Sequence, residues 1–215
     1  MADNTAVDGL DKETPTPTHI NLADEGDTIL VLHHDDSDTH HRVSSTILSY
    51  ASPVFRALVA PGKFAEGSTP RSASAPKEIE LPEDDAVAMQ DLCSALHYKH
   101  EKLNELIACP ATARRIMELC VLADKYSCAE AVCFVVEALI SRFLEDNNGD
   151  DDSLESRRYL AAAAYILRLP SRFKCYTRGM VMNETQPFAN LLDQRCGEVL
   201  TLCVVRMYTL ALIVP

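Results

Sequence analysis

The chain has 215 residues, 47% of them hydrophobic and 24% charged, and carries a formal net charge of −12. A chain of this length buries roughly 70% of the surface that its unfolded state exposes, which is enough for a full core. The acidic balance repels phosphate backbones, so nucleic acid is not the expected partner.

Residues 1–24 read as a disordered polar tail, with prolines alternating through Thr14-Pro15-Thr16-Pro17-Thr18 and charged flanks. Asp27 to Leu32 is a short run of strand formers and predicts a buried strand. His33 to His40 is polar and fits a hairpin connection, with a return strand near 41–44. Ser44 or Ser45 can cap a helix that carries Ile47, Leu48 and Ala51. Ser52 and Pro53 end that helix, and Pro53 suits the first turn of a second one with Phe55, Leu58 and Val59. Pro61 and Gly62 open a loop that extends to Pro76. Glu78-Ile79-Glu80-Leu81 alternates polar and apolar residues, as a half-buried strand does, and Pro82 stops it.

The remainder is helical in pattern. Asp84 or Asp85 caps a run with Met89, Leu92, Cys93 and Leu96 at helical spacing. Pro110 opens a second run with Ile116, Met117, Cys120 and Ala123. A third presents Val132, Val136, Leu139 and Phe143 as one apolar stripe, widened by Ala129, Cys133 and Ile140. Residues 145–156 are acidic, include Asn147-Asn148-Gly149, and read as a linker. Residues 157–192 form a helical C-terminal extension, alanine-rich from Tyr159 to Leu169, and 193–215 an apolar tail. No internal repeat is visible. The expected fold is α+β, with a small sheet of about three strands, five or more helices around it, and extra C-terminal helices.

Cysteines at 93, 109, 120, 128, 133, 175, 196 and 203 form no CxxC and mostly fall inside helical patterns. They read as buried free thiols. Met1 to Asp27 has no apolar signal region, and Arg206 interrupts the run from Val199 to Pro215 below the roughly 18 residues of a span. The expectation is a soluble protein of the cytoplasm or nucleus, without membrane attachment.

Three groupings suggest chemistry. His33, His34, Asp35, Asp36, Asp38, His40 and His41 offer imidazole and carboxylate, but they crowd one turn, whereas structural metal sites draw separated ligands from rigid elements. The acidic linker does not fit a calcium loop, because Gly149 at the sixth position would put Leu144 first. Cys93 and His97 lie one helical turn apart, with Cys93 facing the core beside Leu92 and Leu96, where a thiol is not activated. No glycine-rich phosphate loop occurs. No catalytic residue, metal ligand or cofactor is assigned, and no enzymatic activity is expected.

Several segments, in their order and spacing, resemble the BTB/POZ family, above all its fungal members, over about residues 25–144. Asp27 with Ile29-Leu30-Val31 is similar to the opening strand. Val43-Ser44-Ser45-Thr46-Ile47-Leu48 followed by Ser52-Pro53-Val54-Phe55 is similar to the signature helix pair. Leu81-Pro82-Glu83-Asp84-Asp85-Ala86 and Ala123-Asp124-Lys125-Tyr126-Ser127-Cys128 resemble the fungal subgroup. The animal pattern has histidine at Ser44 and usually an aromatic at His41, so animal-type partners are not implied.

The resemblance implies a protein–protein interaction module: an adaptor that joins a cullin-type ubiquitin ligase scaffold to a client. Phe64-Ala65-Glu66 resembles the apolar-x-Glu motif by which such adaptors meet the cullin, and exposed faces near Tyr50, Phe55 and Tyr126 would complete the surface. The alternative is an oligomerising scaffold or transcriptional co-regulator with no ligase role. Asp27, Asp124, Lys125 and Tyr126 also have structural readings, and Asp124, unfavourable at a helix end, calls for a local partner such as Lys125. BTB dimers commonly use the N-terminal segment and first helix. That segment is polar and proline-containing here, so a monomer or weak homodimer is expected.

Overall fold

The computed structural model describes residues 16–34, 37–60, 71–146, 153–183 and 194–200. Strand-forming residues at 28–34 and 37–43 pair as an antiparallel hairpin, β2 (Thr28–His34) and β3 (Ser37–Val43). Two short strands flank it in parallel: β1 (Thr18–Asn21) on β3 and β4 (Lys77–Glu80) on β2. The mixed sheet has the order β1-β3-β2-β4.

Two strand expectations need correction. Residues 18–21 lie within the stretch read as disordered, yet they form an edge strand. The prolines precede the pairing residues, and Ile20 and Leu22 pack against the core. The hairpin strands also run further than their apolar residues, because the polar side chains at their outer ends do not interrupt the ladder. His33 Nδ1 sits 2.6 Å from Asp38 Oδ1 across it. Between β1 and β2 the chain turns through Gly26, where a Cβ would come within 2.7 Å of the Val43 carbonyl oxygen.

The helices are α1 (Ser45–Ala51), α2 (Pro53–Val59), α3 (Ala86–Leu96), α4 (His100–Ile107), α5 (Thr112–Lys125), α6 (Ala129–Asp146), α7 (Leu154–Ile166), α8 (Pro170–Asn183) and α9 (Gln194–Val199). Helix α4 is not among the expected elements: at eight residues it is short, although Leu103, Leu106 and Ile107 stand at helical spacing. It docks through Leu103 and Leu106. On α6 the stripe Val132, Val136, Leu139 and Phe143 is buried as its spacing predicts.

Three helical hairpins, α3–α4, α5–α6 and α7–α8, turn by the same device. After each first helix one non-glycine residue adopts left-handed geometry: Tyr98 (φ 54°), Ser127 (φ 53°) and Arg168 (φ 55°). The next residue's N–H then reaches back to the helix: Lys99 to Ser94, Cys128 to Ala123 and Leu169 to Ala164, at 2.9, 2.7 and 2.8 Å. These are Schellman closures. The repetition is one of backbone geometry and leaves no mark in side-chain identity.

The acidic stretch is narrower than expected, because α6 runs to Asp146 and Ser153 already caps α7. Helix α7 packs against α5 and α8. Ala161, Ala162, Ala163 and Ala164 are all buried, since small side chains let neighbouring elements approach closely. One apolar cluster therefore runs from Leu22 to Leu200 and joins the C-terminal helices to the rest. Among the described residues no helix is long and apolar enough to cross a membrane.

Candidate partner-binding surface

Ser52 organises the junction of α1 and α2. Its N–H donates to Leu48 O at 3.0 Å and closes α1. Its hydroxyl oxygen accepts from Phe55 N at 2.9 Å and opens α2, with Pro53 in the first turn. The same hydroxyl donates to the Tyr126 carbonyl, 74 residues away. The Phe55 and Tyr126 rings then stack, with centroids 4.1 Å apart and planes within 8°.

Below this stack lies Asp84, at the turn between β4 and α3. The Tyr126 hydroxyl donates to its Oδ2, and Lys125 Nζ lies 2.8 Å from its Oδ1. Burial, and then the Asp84 carboxylate, push the Tyr126 hydroxyl far above its ordinary pKa, so it stays a donor. Asp85, not Asp84, caps α3 by accepting from Ala88 N at 2.8 Å. Lys125 pairs with Asp84 and so is not the local partner of Asp124.

Phe55 and Tyr126 are therefore corrected as contact residues. Both are buried, and they support the surface from beneath. Stacking two rings between helices removes more apolar area from water than presenting them to a partner would. Tyr50 behaves as expected: it stands on the outward face of α1, 84% exposed, with Ile47 beside it. Phe64 and Glu66, together with Asp35 and Asp36, lie outside the described residues.

The N-terminus of α1 is held from two sides. Asp27 accepts from Ser45 N at 2.8 Å and from Ser45 Oγ at 2.6 Å. Burial acts to raise its pKa, but these hydrogen bonds outweigh burial and hold the carboxyl below its usual range. Ser44 caps the helix, and its own N–H donates to His97 Nε2 at 3.0 Å. The other ring nitrogen of His97 donates to Cys93 O at 2.8 Å. Both nitrogens are thus engaged with backbone, and burial raises the Cys93 thiol well above its ordinary range. This pair bridges two elements and contains no activated nucleophile.

Local pattern marks Ser52 only as a helix stop and Asp84 only as a possible cap; their contacts with Tyr126 and Lys125 join distant parts of the chain. The signal available was the pair of adjacent aspartates, only one of which a single helix start can use. Another unanticipated feature is Phe134 on α6, which is 83% exposed. Among the described residues no three His, Cys, Asp or Glu side chains converge to hold a metal ion.

No family model matches the chain, and no curated protein matches it.

Proposed function

We propose that this chain is a protein–protein interaction module of the BTB/POZ type, without enzymatic activity, and that it serves as an adaptor for a cullin-type ubiquitin ligase. The observation that carries the reading is Tyr50. An aromatic ring at 84% exposure stands on a two-turn helix whose ends are held by Asp27, His97 and Ser52. A rigid, exposed aromatic is what a partner pocket grips, because little conformational freedom is lost when it docks. The α+β layering, with a helix pair directly after the hairpin, supports the same reading. In this account Phe64 and Glu66 also contact the cullin, and the helices after Ser153 serve the client.

The test is binding of the full chain to a purified cullin N-terminal domain by titration calorimetry. Micromolar or tighter binding is expected. Tyr50→Ala and Phe64→Ala should each weaken it by about 2 kcal/mol or more, as hot-spot truncations do. Ser68→Ala should change nothing. Absence of binding at micromolar concentration sinks the adaptor reading in favour of an oligomerising scaffold.

A further inference from the structure

Helix α6 buries one face through Val132, Val136, Leu139, Ile140 and Phe143. Its opposite face carries Glu130, Phe134, Ala138 and Arg142, all exposed and each four residues from the next. Residues at that spacing form a single ridge along a helix. Phe134 is the anomaly on it: a phenyl ring 83% in water, in the middle of the longest helix among those described.

The ridge is complementary to itself. When two such helices lie antiparallel, with a twofold axis at the level of residue 136, Phe134 of one falls opposite Ala138 of the other. Glu130 then falls opposite Arg142. Each relation occurs twice, as twofold symmetry requires. A large ring meets a small residue, and opposite charges meet at both ends. Glu130 has no ion pair among the described residues, and Arg142 donates one N–H to the neutral Asn104 Oδ1 at 2.7 Å. A guanidinium retains further donors for a carboxylate.

We infer that the exposed α6 ridge is a homodimer interface, with a second copy of this chain as its occupant. A foreign partner would have no need of a ridge whose charges and sizes are complementary to its own reverse. One helix of about 27 Å length presents too little area for a tight complex, so the dimer is weak and reversible, at the low end of interface sizes. Tyr50 lies on α1 and the ridge on α6, and the inference does not depend on the adaptor reading.

Sedimentation velocity of the full chain across a concentration series tests it. A reversible dimer with a dissociation constant on the order of 10–100 µM is expected for a contact this small. Phe134→Glu should abolish dimerisation while the thermal melt of the monomer stays unchanged. Glu130→Arg and Arg142→Glu, each alone, should weaken it at least about ten-fold by setting like charges opposite one another at both ends. The double variant should recover to within about three-fold of the parent, because the pairs are restored with reversed sign. Tyr50→Glu should leave the dimer intact. A chain that stays monomeric at several hundred micromolar overturns the inference. So does a dimer that survives Phe134→Glu, a double reversal as weak as its single members, or a dimer lost with Tyr50→Glu.

Discussion

The Ser44 N–H donates to Nε2 of His97 at 3.0 Å, across 53 positions of sequence. A side chain at the end of α3 therefore receives a backbone donor from the first turn of α1. His97→Ala would leave that donor without its acceptor, at a cost of about 1–3 kcal/mol. Amide exchange at Ser44 should accelerate with the loss, and by more than exchange at the β2–β3 pairs, which responds only to the lower global stability.

Acid should destabilise the fold before its carboxylates titrate. His41 is buried on the inner face of β3, and neither ring nitrogen has a hydrogen-bond partner among the described residues. Burial, aided by the neighbouring His40, lowers its pKa from 6.5 to about 4. Burial also lowers that of His97. Both rings fold as neutral species. Their contribution is fully present above pH 6.5, where unfolded histidine is neutral, and is lost as pH falls through the folded values. For His41 alone the loss between pH 7 and 5 is about 2 kcal/mol. Urea unfolding at the two pH values measures it. His41→Leu should flatten most of that slope without lowering stability at pH 7, since it removes a buried polar group that lacks a partner.

Arg115 grips Asp91 with two N–H groups, at 2.9 and 2.6 Å, and ties α5 to α3. The Asp91 side chain is 0% exposed and that of Arg115 is 20% exposed. The pair should therefore respond unequally to truncation. Arg115→Ala strands a carboxylate away from water and should cost about 3–5 kcal/mol. Asp91→Ala leaves a guanidinium that can turn outward, and about 1–2 kcal/mol is expected. Equal losses in chemical denaturation would mean that both ends are equally trapped.

The left-handed corners offer a stabilising change. Ser127 adopts φ 53° with its side chain in solvent, where an L-residue carries a steric cost that glycine lacks. Ser127→Gly should raise stability by about 0.5–1 kcal/mol, and Ser127→Val should lower it by more than that. Thermal melts of the two variants should move in opposite directions.

Much of the fold is legible in local pattern. Strand formers at 28–32, the half-buried alternation at 78–81 and the apolar stripe on α6 each repeat at the period of the element they form. The cap at Ser44 and the stop at Ser52-Pro53 are equally local, as each depends on a side chain and a backbone group within one turn. The candidate surface was only half legible. Tyr50 is exposed, as its sequence context suggests; Phe55 and Tyr126 carry the same kind of apolar signal and are buried.

The sequence by itself determined the type of most elements, the α+β order and the acidic net charge, because propensity, periodicity and charge are properties of short stretches. Only the tertiary structure decided that Thr18–Asn21 joins the sheet as an edge strand, that Phe55 stacks on Tyr126, and that Lys125 pairs with Asp84. The same holds for the Ser44–His97 bridge and for the isolation of His41. These contacts join residues tens of positions apart, and no local spacing encodes which distant group will stand opposite. The backbone's packing settles that, by bringing one donor to one acceptor and leaving Phe134 facing water.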